Sequence, residues 1–451
     1  MSKPRVTVKP SDPSGAEVSL PPSATHAAVA WSGVICMLVS VALVNWYHPY
    51  RQIAYLALLV MAGAALGIFV PDLAWQKVQR RTLASAVNRG DWARTATKCL
   101  GLLASVGFVA LLYWLTPEYH GSFYDNFYSA LKVLAWPWAA LAPLYISWVD
   151  QRLADPQDSL WQVGRLLSGK WQGLDPRVIW QHLLGWLVKG FFLPLMFTYF
   201  CHDLAKLLDY NPELLRYEVS FQHTFKHWYD WSYDTFYFID VSLVSMTYLM
   251  SLKATDTQIR SSEPTALGWM CALACYQPFW SLISAQYIDY DSGGIAWDLR
   301  LINVPWLYEL WGSLILVLVI IYVWATISFG ARFSNLTHRG IITNGPYRYT
   351  KHPAYLAKNL SWWMISMPFM FNGSVFDTVR HSTLLLALNL IYYLRAKTEE
   401  RHLGLDPVYL QYAKWIDRHG LLRWVNRLPI IGQLARWRPA FKTYTPPTPL
   451  S

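Results

Sequence analysis

Four side chains that can bind polar groups follow a turn near residue 345 and are separated by helical spacings. Their spacing is i, i+3, i+7 and i+10, which is one face of an α-helix, and they are His352, Tyr355, Asn359 and Trp362. An imidazole, a phenol, an amide and an indole would be costly against lipid, so we expect them to face a cavity or another helix. We predict that Asn359 and Trp362 bind substrate.

A second set of charged residues ends the next apolar run. Arg395, Glu399 and His402 lie at i, i+4 and i+7, so they share a helix face, and Glu400 follows Glu399. The two helices are expected to form a hairpin, which returns His352 and Glu399 to the same side of the membrane. A carboxylate there could hold a cationic amino group, and an arginine could hold a carboxylate. We predict that Arg395 and Glu399 are catalytic.

A simpler interpretation of any one of these charges is a basic rim of side chains that snorkel to the membrane surface. For a single arginine or glutamate, that interpretation is the better one. The polar column and the adjacent acidic pair, taken together, favour a site.

The sequence contains a motif that reads Gly345-Pro346-Tyr347-Arg348-Tyr349-x-Lys351-His352-Pro353-x-Tyr355, followed by Glu399-Glu400 and Tyr409-x2-Tyr412. This pattern resembles the membrane methyltransferases, which include the isoprenylcysteine carboxyl methyltransferases and the phospholipid N-methyltransferases. The resemblance covers about residues 310–425. It implies S-adenosylmethionine as the cofactor, bound by Gly345, Pro346, Tyr347, His352, Pro353, Tyr355, Glu399 and Glu400.

Two positions depart from the pattern of that family. Lys351 stands where the family usually has arginine, whose planar fork a lysine does not reproduce. Ala357 stands where the family usually has glycine, so one additional methyl group would lie near the expected pocket.

The elements that must position these residues are predicted to be membrane-spanning helices. The chain has 451 residues, of which 54% are hydrophobic and 15% charged, so its apolar surface exceeds what one soluble core would bury. A bilayer core needs about 20 helical residues. Apolar runs of suitable length lie at 27–47, 53–71, 98–115, 127–148, 179–200, 235–252, 266–284 and 306–330, with shorter ones at 355–372 and 380–397. We therefore predict an all-α polytopic membrane protein with about ten transmembrane helices.

The charges of the loops predict the orientation of these helices. The loop that contains Lys77, Arg80 and Arg81 is basic, whereas the next loop, 117–125, has no lysine or arginine. Basic loops stay in the cytoplasm, so both termini and the candidate site are expected to face the cytoplasm, in a bacterial inner membrane or an endomembrane. The net charge of +10 could attract nucleic acid, but it lies in loops between apolar runs, so we expect no nucleic-acid partner.

Four parts of the chain are distinguished by composition. We predict a polar N-terminal tail (1–26), a multi-helix membrane region without an assigned role (27–305), a methyltransferase-like membrane domain with a helical hairpin (306–425), and a basic, proline-rich tail (426–451). The oligomeric state is not indicated by the sequence.

A weaker cluster lies in the upstream region, where His223, His227 and Asp230 follow one another at i, i+4 and i+7. Two histidines at this spacing can chelate a metal with an aspartate as third ligand. The many aromatic neighbours instead favour a helix at the membrane interface. We therefore predict no metal and keep these three residues as an alternative.

The function that these observations favour is methyl transfer from S-adenosylmethionine to a lipid or isoprenoid-like amphiphile. A second possibility is a membrane reductase that uses NADPH, because proteins of the sterol-reductase type share a similar C-terminal hairpin. A third is a lipid carrier or scaffold with a decayed cofactor pocket, which Lys351 and Ala357 would allow. The Gly-Pro-Tyr turn and the pair of glutamates favour the methyltransferase.

Overall fold

The structure is a computed structural model that describes residues 19–47, 52–84, 89–211, 213, 221–370, 374–425, 428 and 432–434. Most of the predicted N-terminal tail (1–26) and nearly all of the predicted C-terminal tail (426–451) lie outside the described residues.

The described residues form helices joined by turns, with one very short sheet. The α-helices are α1 (Ala27–Tyr47), α2 (Ile53–Ala74), α3 (Trp92–Leu115), α4 (Asp125–Asp150), α5 (Ser159–Leu167), α6 (Pro176–Leu208), α7 (Phe221–Leu249), α8 (Ala266–Leu273), α9 (Ala285–Tyr287), α10 (Trp297–Leu301), α11 (Pro305–Ser328), α12 (Pro353–Ser366), α13 (Val375–Leu403) and α14 (Pro407–His419). Two strands, β1 (Ser261–Ser262) and β2 (Thr337–His338), pair antiparallel, with Ser261 opposite His338.

Six helices of the described chain are long enough and apolar enough to cross a membrane. They are α1, α2, α3, α4 together with the turn before it, α6 and α11. These helices confirm the prediction of an all-α, multi-pass membrane protein.

The other four predicted spans differ from that description. Helices α7 and α13 have 29 residues each but are less apolar, and α12 has 14 residues, or about 21 Å at 1.5 Å per residue, less than a bilayer core. The run at 266–284 is divided into α8 and a π-helical turn at Trp280–Ser284. Pro278 lies between them and cannot continue the backbone hydrogen bonds of a helix. Within the described residues, six helices are thus candidates for membrane spans, and the count of about ten stays a prediction.

Buried charges join the upstream helices to the segment that follows α11. The Arg332 side chain is fully buried, 3.3 Å from an Asp72 oxygen of α2 and 3.7 Å from an Asp256 oxygen. It also donates to the hydroxyl of Thr25, just before α1. Because these contacts cross residue 306, the predicted boundary between 27–305 and 306–425 divides a packed region, and the boundary itself stays a prediction.

Candidate functional site

A cavity lies between α8, α11, α12 and α13, beneath the loop that follows α11. It contains about 970 Å³ of empty space, part of which is open to solvent. Seven residues singled out in the sequence line it: Tyr347, Lys351, His352, Tyr355, Arg395, Glu399 and His402. The structure therefore brings residues about fifty positions apart to one cavity, as the hairpin arrangement requires.

Tyr355 and Glu399 face each other across this cavity, one from α12 and one from α13. The Tyr355 hydroxyl donates to Glu399 Oε2 at 2.9 Å, and the Tyr355 ring stacks on the His352 ring with centroids 5.4 Å apart. Among the described residues, no basic side chain forms an ion pair with Glu399. Glu399 therefore presents a carboxylate that could receive a cation.

Glu400 points to a different environment from its neighbour Glu399. His352 Nε2 lies 3.2 Å and Lys397 Nζ 3.0 Å from Glu400 Oε1, and the Glu400 side chain is buried. Burial alone would raise the pKa of Glu400, but the hydrogen bond and charge of His352, together with the Lys397 charge, hold it well below its ordinary value. Glu400 is thus an ionised group that positions His352 and does not line the cavity.

Arg395 is a buried cation within the cavity wall. Its guanidinium carbon lies 5.0 to 5.6 Å from the ring centroids of Tyr276, Tyr355 and Tyr392. One guanidinium nitrogen donates to Asn335 Oδ1 at 2.5 Å and to the Tyr276 hydroxyl at 3.3 Å. No carboxylate of the described chain pairs with Arg395, so its charge is held by aromatic rings and amide oxygen and is available to an anion.

The other predicted site residues hold the surrounding backbone and helices. Gly345 has φ +55°, and a side chain there would collide with Ser328, so glycine is required in the Gly345–Arg348 turn, which also contains Pro346. Pro353 is the first residue of α12, where its missing N–H costs little. None of the three lines the cavity among the described residues.

The two predicted substrate-binding residues pack α12 against α13 beside the cavity. Asn359 donates to the Tyr355 carbonyl at 2.7 Å and is hydrogen-bonded to Asn389 of α13. The Trp362 ring meets the Tyr392 ring edge to face, with centroids 5.2 Å apart. In the described structure neither residue lines the cavity, so a direct contact with substrate stays a prediction.

The two departures from the family pattern have different surroundings. Lys351 lines the cavity, and its ammonium binds Asp417 of α14 at 2.6 Å. Ala357 is buried in α12 but does not line the described cavity. Its methyl group therefore leaves the cavity unchanged.

One wall of the cavity comes from upstream residues that carried no motif. Glu263, Gly268, Ala272 and Tyr276 line it, and the Glu263 carboxylate binds Arg401 at 2.6 Å. Gly268, Ala272 and Tyr276 were not predicted to line a site, because 266–284 has the composition of one more apolar span. A glutamate directly before an apolar run and a tyrosine inside it were the available signals.

His402 closes this side of the cavity. Its Nε2 lies 2.9 Å from the Ser261 hydroxyl of β1, and burial lowers the pKa of His402 to about 3. His402 is therefore a neutral imidazole at neutral pH, a hydrogen-bonding wall residue rather than a cation.

The alternative metal cluster lies on α7, away from this cavity. The rings of His223 and His227 are 4.5 Å apart, but the Asp230 carboxylate is bound by Lys226 at 2.6 Å. No group of three or more possible ligands is arranged around a metal position in the part of the chain that the structure describes. The Asp230 carboxylate is thus engaged by Lys226, and the interpretation of this segment as a helix at the membrane interface stays a prediction.

Comparison with known proteins bears on the same C-terminal segment. Residues 310–404 match the model of the Isoprenylcysteine carboxyl methyltransferase (ICMT) family, which covers about a fifth of the chain. No significant match was found among curated proteins or among solved structures. The matched residues include most of α11 and all of α12 and α13, and residues of the matched segment supply most of the cavity wall. The resemblance is therefore confirmed: residues 310–404 are the part of this membrane protein that corresponds to the isoprenylcysteine carboxyl methyltransferase family.

Proposed function

We propose that the protein is a methyltransferase that uses S-adenosylmethionine and acts on a lipid or isoprenoid-like amphiphile at the cytoplasmic face of the membrane. The observation that carries the proposal is the pair of opposite, uncompensated charges, Glu399 and Arg395, on the same cavity wall within the family-matched segment. The predicted extent of the domain, 306–425, belongs to this proposal.

The cavity suits the chemistry of that cofactor. The amino-acid end of S-adenosylmethionine carries an ammonium and a carboxylate, and its sulfonium is a further cation. Glu399 would hold a positive group, and Arg395, whose guanidinium packs on the rings of Tyr355 and Tyr392, would hold the carboxylate. When bound, the cofactor would supply an electrophilic methyl group. The residues of the chain bind and orient the reactants and limit access of water.

The position of the cavity supports an amphiphilic substrate. Tyr322 lies six residues before the end of α11, or about 9 Å along the helix axis, and Lys358 lies five residues after the start of α12, or about 7.5 Å. Both line the cavity, which thus extends from the loops along the membrane helices. A substrate that enters from the bilayer could place its polar end in this space and leave its apolar chain in lipid.

Binding measurements test this proposal directly. Purified full-length protein in detergent should bind S-adenosylmethionine in isothermal titration, and NADPH should give no saturable signal. Binding of NADPH alone would support the reductase instead, and binding of neither would support the carrier or scaffold. Reporter fusions after Arg339 and after Ser451 test the orientation, since both should report the cytoplasm.

A further inference from the structure

A carboxylate lies behind the deep wall of the cavity, on a helix outside the family-matched segment. Asp240 of α7 is 6% exposed and accepts hydrogen bonds from the Tyr322 hydroxyl at 2.6 Å and the Thr326 hydroxyl at 2.5 Å. Tyr322 and Thr326 line the cavity, whereas Asp240 does not. The Tyr322 hydroxyl therefore links the Asp240 carboxylate to the cavity wall, which a substrate would contact.

Asp240 does not form an ion pair with a basic side chain of the described residues. A buried carboxylate is costly unless it is paired, yet no lysine or arginine lies within 4.0 Å of Asp240 among the described residues. The ionisable groups that interact with it belong to four other segments and to α7 itself: Lys358 of α12, Asp203 of α6, Tyr322 of α11, Tyr347, and Tyr237. The Lys358 ammonium lies 5.2 Å from the Tyr322 ring centroid and also lines the cavity.

We propose that Tyr322, backed by Asp240, accepts a proton from the methyl acceptor, and that this acceptor is an uncharged O–H or N–H group rather than a carboxylate. The proposal rests on the proposed function and names the class of its substrate. Tyr322 is the residue that would touch the acceptor, and Asp240 acts through it.

The transfer balances with these groups. The lone pair of the acceptor oxygen or nitrogen forms a bond to the methyl carbon, while the carbon–sulfur bond of the sulfonium donor breaks and its electron pair stays on sulfur. The acceptor proton passes to the Tyr322 oxygen, and the Tyr322 proton passes to Asp240, which becomes a neutral acid. The proton returns from Asp240 through the Tyr322 hydroxyl to the cavity, part of which is open to solvent.

The arrangement selects against the other two acceptor classes. A carboxylate is already ionised at neutral pH, so it has no proton for Tyr322 and Asp240 to accept. An alkylammonium would meet the Lys358 ammonium, whereas the same cation stabilises negative charge that develops on a hydroxyl oxygen.

A chromogenic amphiphile tests proton acceptance without any cofactor. The probe is 4-dodecyl-2-nitrophenol, whose absorbance reports its ionised fraction, added to purified protein in detergent below the pH midpoint that it shows in empty micelles. We expect the wild type to raise the ionised fraction, and Tyr322→Phe and Asp240→Asn to return it to the value of the micelles. An ionised fraction in the wild type equal to that in empty micelles would overturn the proposal.

Methyl transfer to three matched acceptors supplies the second test. We expect labelled methyl groups to be transferred to 4-dodecylphenol or 4-dodecylaniline but not to 4-dodecylbenzoate. Loss of a general base typically costs 10²- to 10⁴-fold, so Tyr322→Phe should lower kcat by about a hundredfold, and Asp240→Asn should lower it as well, both with KM unchanged. Tyr237→Phe is the control, because Tyr237 packs against Tyr322, with ring centroids 5.8 Å apart, but does not line the described cavity.

The binding of S-adenosylmethionine, measured in parallel, separates the two proposals. If the wild type does not bind it, the proposed function fails. If the wild type binds it and transfers methyl only to the benzoate, or to none of the three, the assignment of a protic acceptor fails. That assignment also fails if both folded variants retain the wild-type kcat.

Discussion

The family-matched segment 310–404 and the helices upstream of it contribute differently to the same cavity. The matched segment supplies residues that a motif reveals, such as His352, Tyr355 and Glu399. The upstream region supplies Glu263 and Tyr276 to the wall and Asp240 behind it, none of which belongs to a recognisable pattern. The motif residues are those proposed to bind the cofactor, while the upstream region supplies part of the remaining wall and the carboxylate behind Tyr322.

This difference has a consequence for substrate choice. Proteins can share the matched segment and still act on different acceptors when the remaining wall comes from other helices. In this chain, the upstream region places Gly268, Ala272 and Tyr276 in the wall and the buried Asp240 carboxylate behind it. The contribution of the two regions can be tested first by removing a contact that joins them. Single substitutions in each wall of the cavity then test the matched and the upstream residues separately.

The largest expected effect comes from Arg332, which joins the two regions. Replacing it with methionine leaves the buried Asp72 carboxylate without its ion-pair partner, whereas Asp256 keeps Arg81 and Arg260. Removal of one partner from a buried ion pair costs about 3–5 kcal/mol, so the free energy of unfolding in detergent should fall by about that amount.

The matched control is Arg81→Gln, because Arg81 also pairs with Asp256 but has a side chain that is 39% exposed. An exposed pair contributes about 0–1 kcal/mol, so this variant should unfold close to the wild type. If Arg332→Met unfolds like Arg81→Gln, the two regions are not held together by this cation.

The next effect concerns the motif side of the cavity. Glu399→Gln keeps the shape of the side chain and the hydrogen bond from Tyr355 but removes the charge. Loss of a charge-assisted hydrogen bond costs about 1.5–3 kcal/mol, so the affinity for S-adenosylmethionine should fall about ten- to a hundredfold. His352→Ala should also weaken binding. Arg380→Gln, an exposed position near the other end of α13, is the control, and wild-type affinity in a folded Glu399→Gln would contradict the assignment.

Much of the matched region could be predicted from the sequence, because its site residues are close together in the chain, at helical spacings or in a turn. Residues at i, i+4 and i+7, such as Arg395, Glu399 and His402, share a face on any α-helix, and the structure places all three around the cavity. The turn at Gly345 was likewise readable, since its Gly-Pro pair is a local signal. A hairpin then suffices to bring Tyr355 to Glu399.

The upstream contribution could not be predicted, because it depends on which helices pack together. Asp240 belongs to no motif, and nothing local to it indicates a partner on α11, 82 residues away. The break within 266–284 has a local signal in Pro278, but the apolar composition of the run outweighed it. The roles of Glu400 and Glu399 differ because of burial, which adjacent identical residues do not reveal.

A smaller effect on cofactor affinity is expected from removing a single hydroxyl of the upstream wall. Tyr276→Phe removes the hydroxyl that accepts from Arg395 at 3.3 Å but keeps the ring beneath the guanidinium. A hydrogen bond contributes about 0.5–1.5 kcal/mol, so the affinity for S-adenosylmethionine should fall about two- to tenfold. Tyr287→Phe is the control, because Tyr287 is 78% exposed in the same stretch of chain. An affinity equal to that of the wild type would restrict cofactor binding to the matched segment.

The smallest effect is a dependence of stability on pH that arises where the two regions meet. His402 of α13 touches Ser261 upstream, and burial lowers its pKa from 6.5 to about 3 in the folded protein. The unfolded chain binds a proton near pH 6.5 while the folded protein does not, so stability is lost as the pH falls below about 6.5 and the loss ends near the folded pKa. Between pH 7 and 6 this one group should cost about 0.7 kcal/mol. His402→Gln should remove that part of the slope in chemical unfolding measured at the two pH values, whereas His419→Gln, at an exposed position of α14, should retain it. A slope in His402→Gln as steep as in the wild type would mean that His402 is accessible to protons in the folded protein, and that the contact between the upstream strand and α13 opens readily.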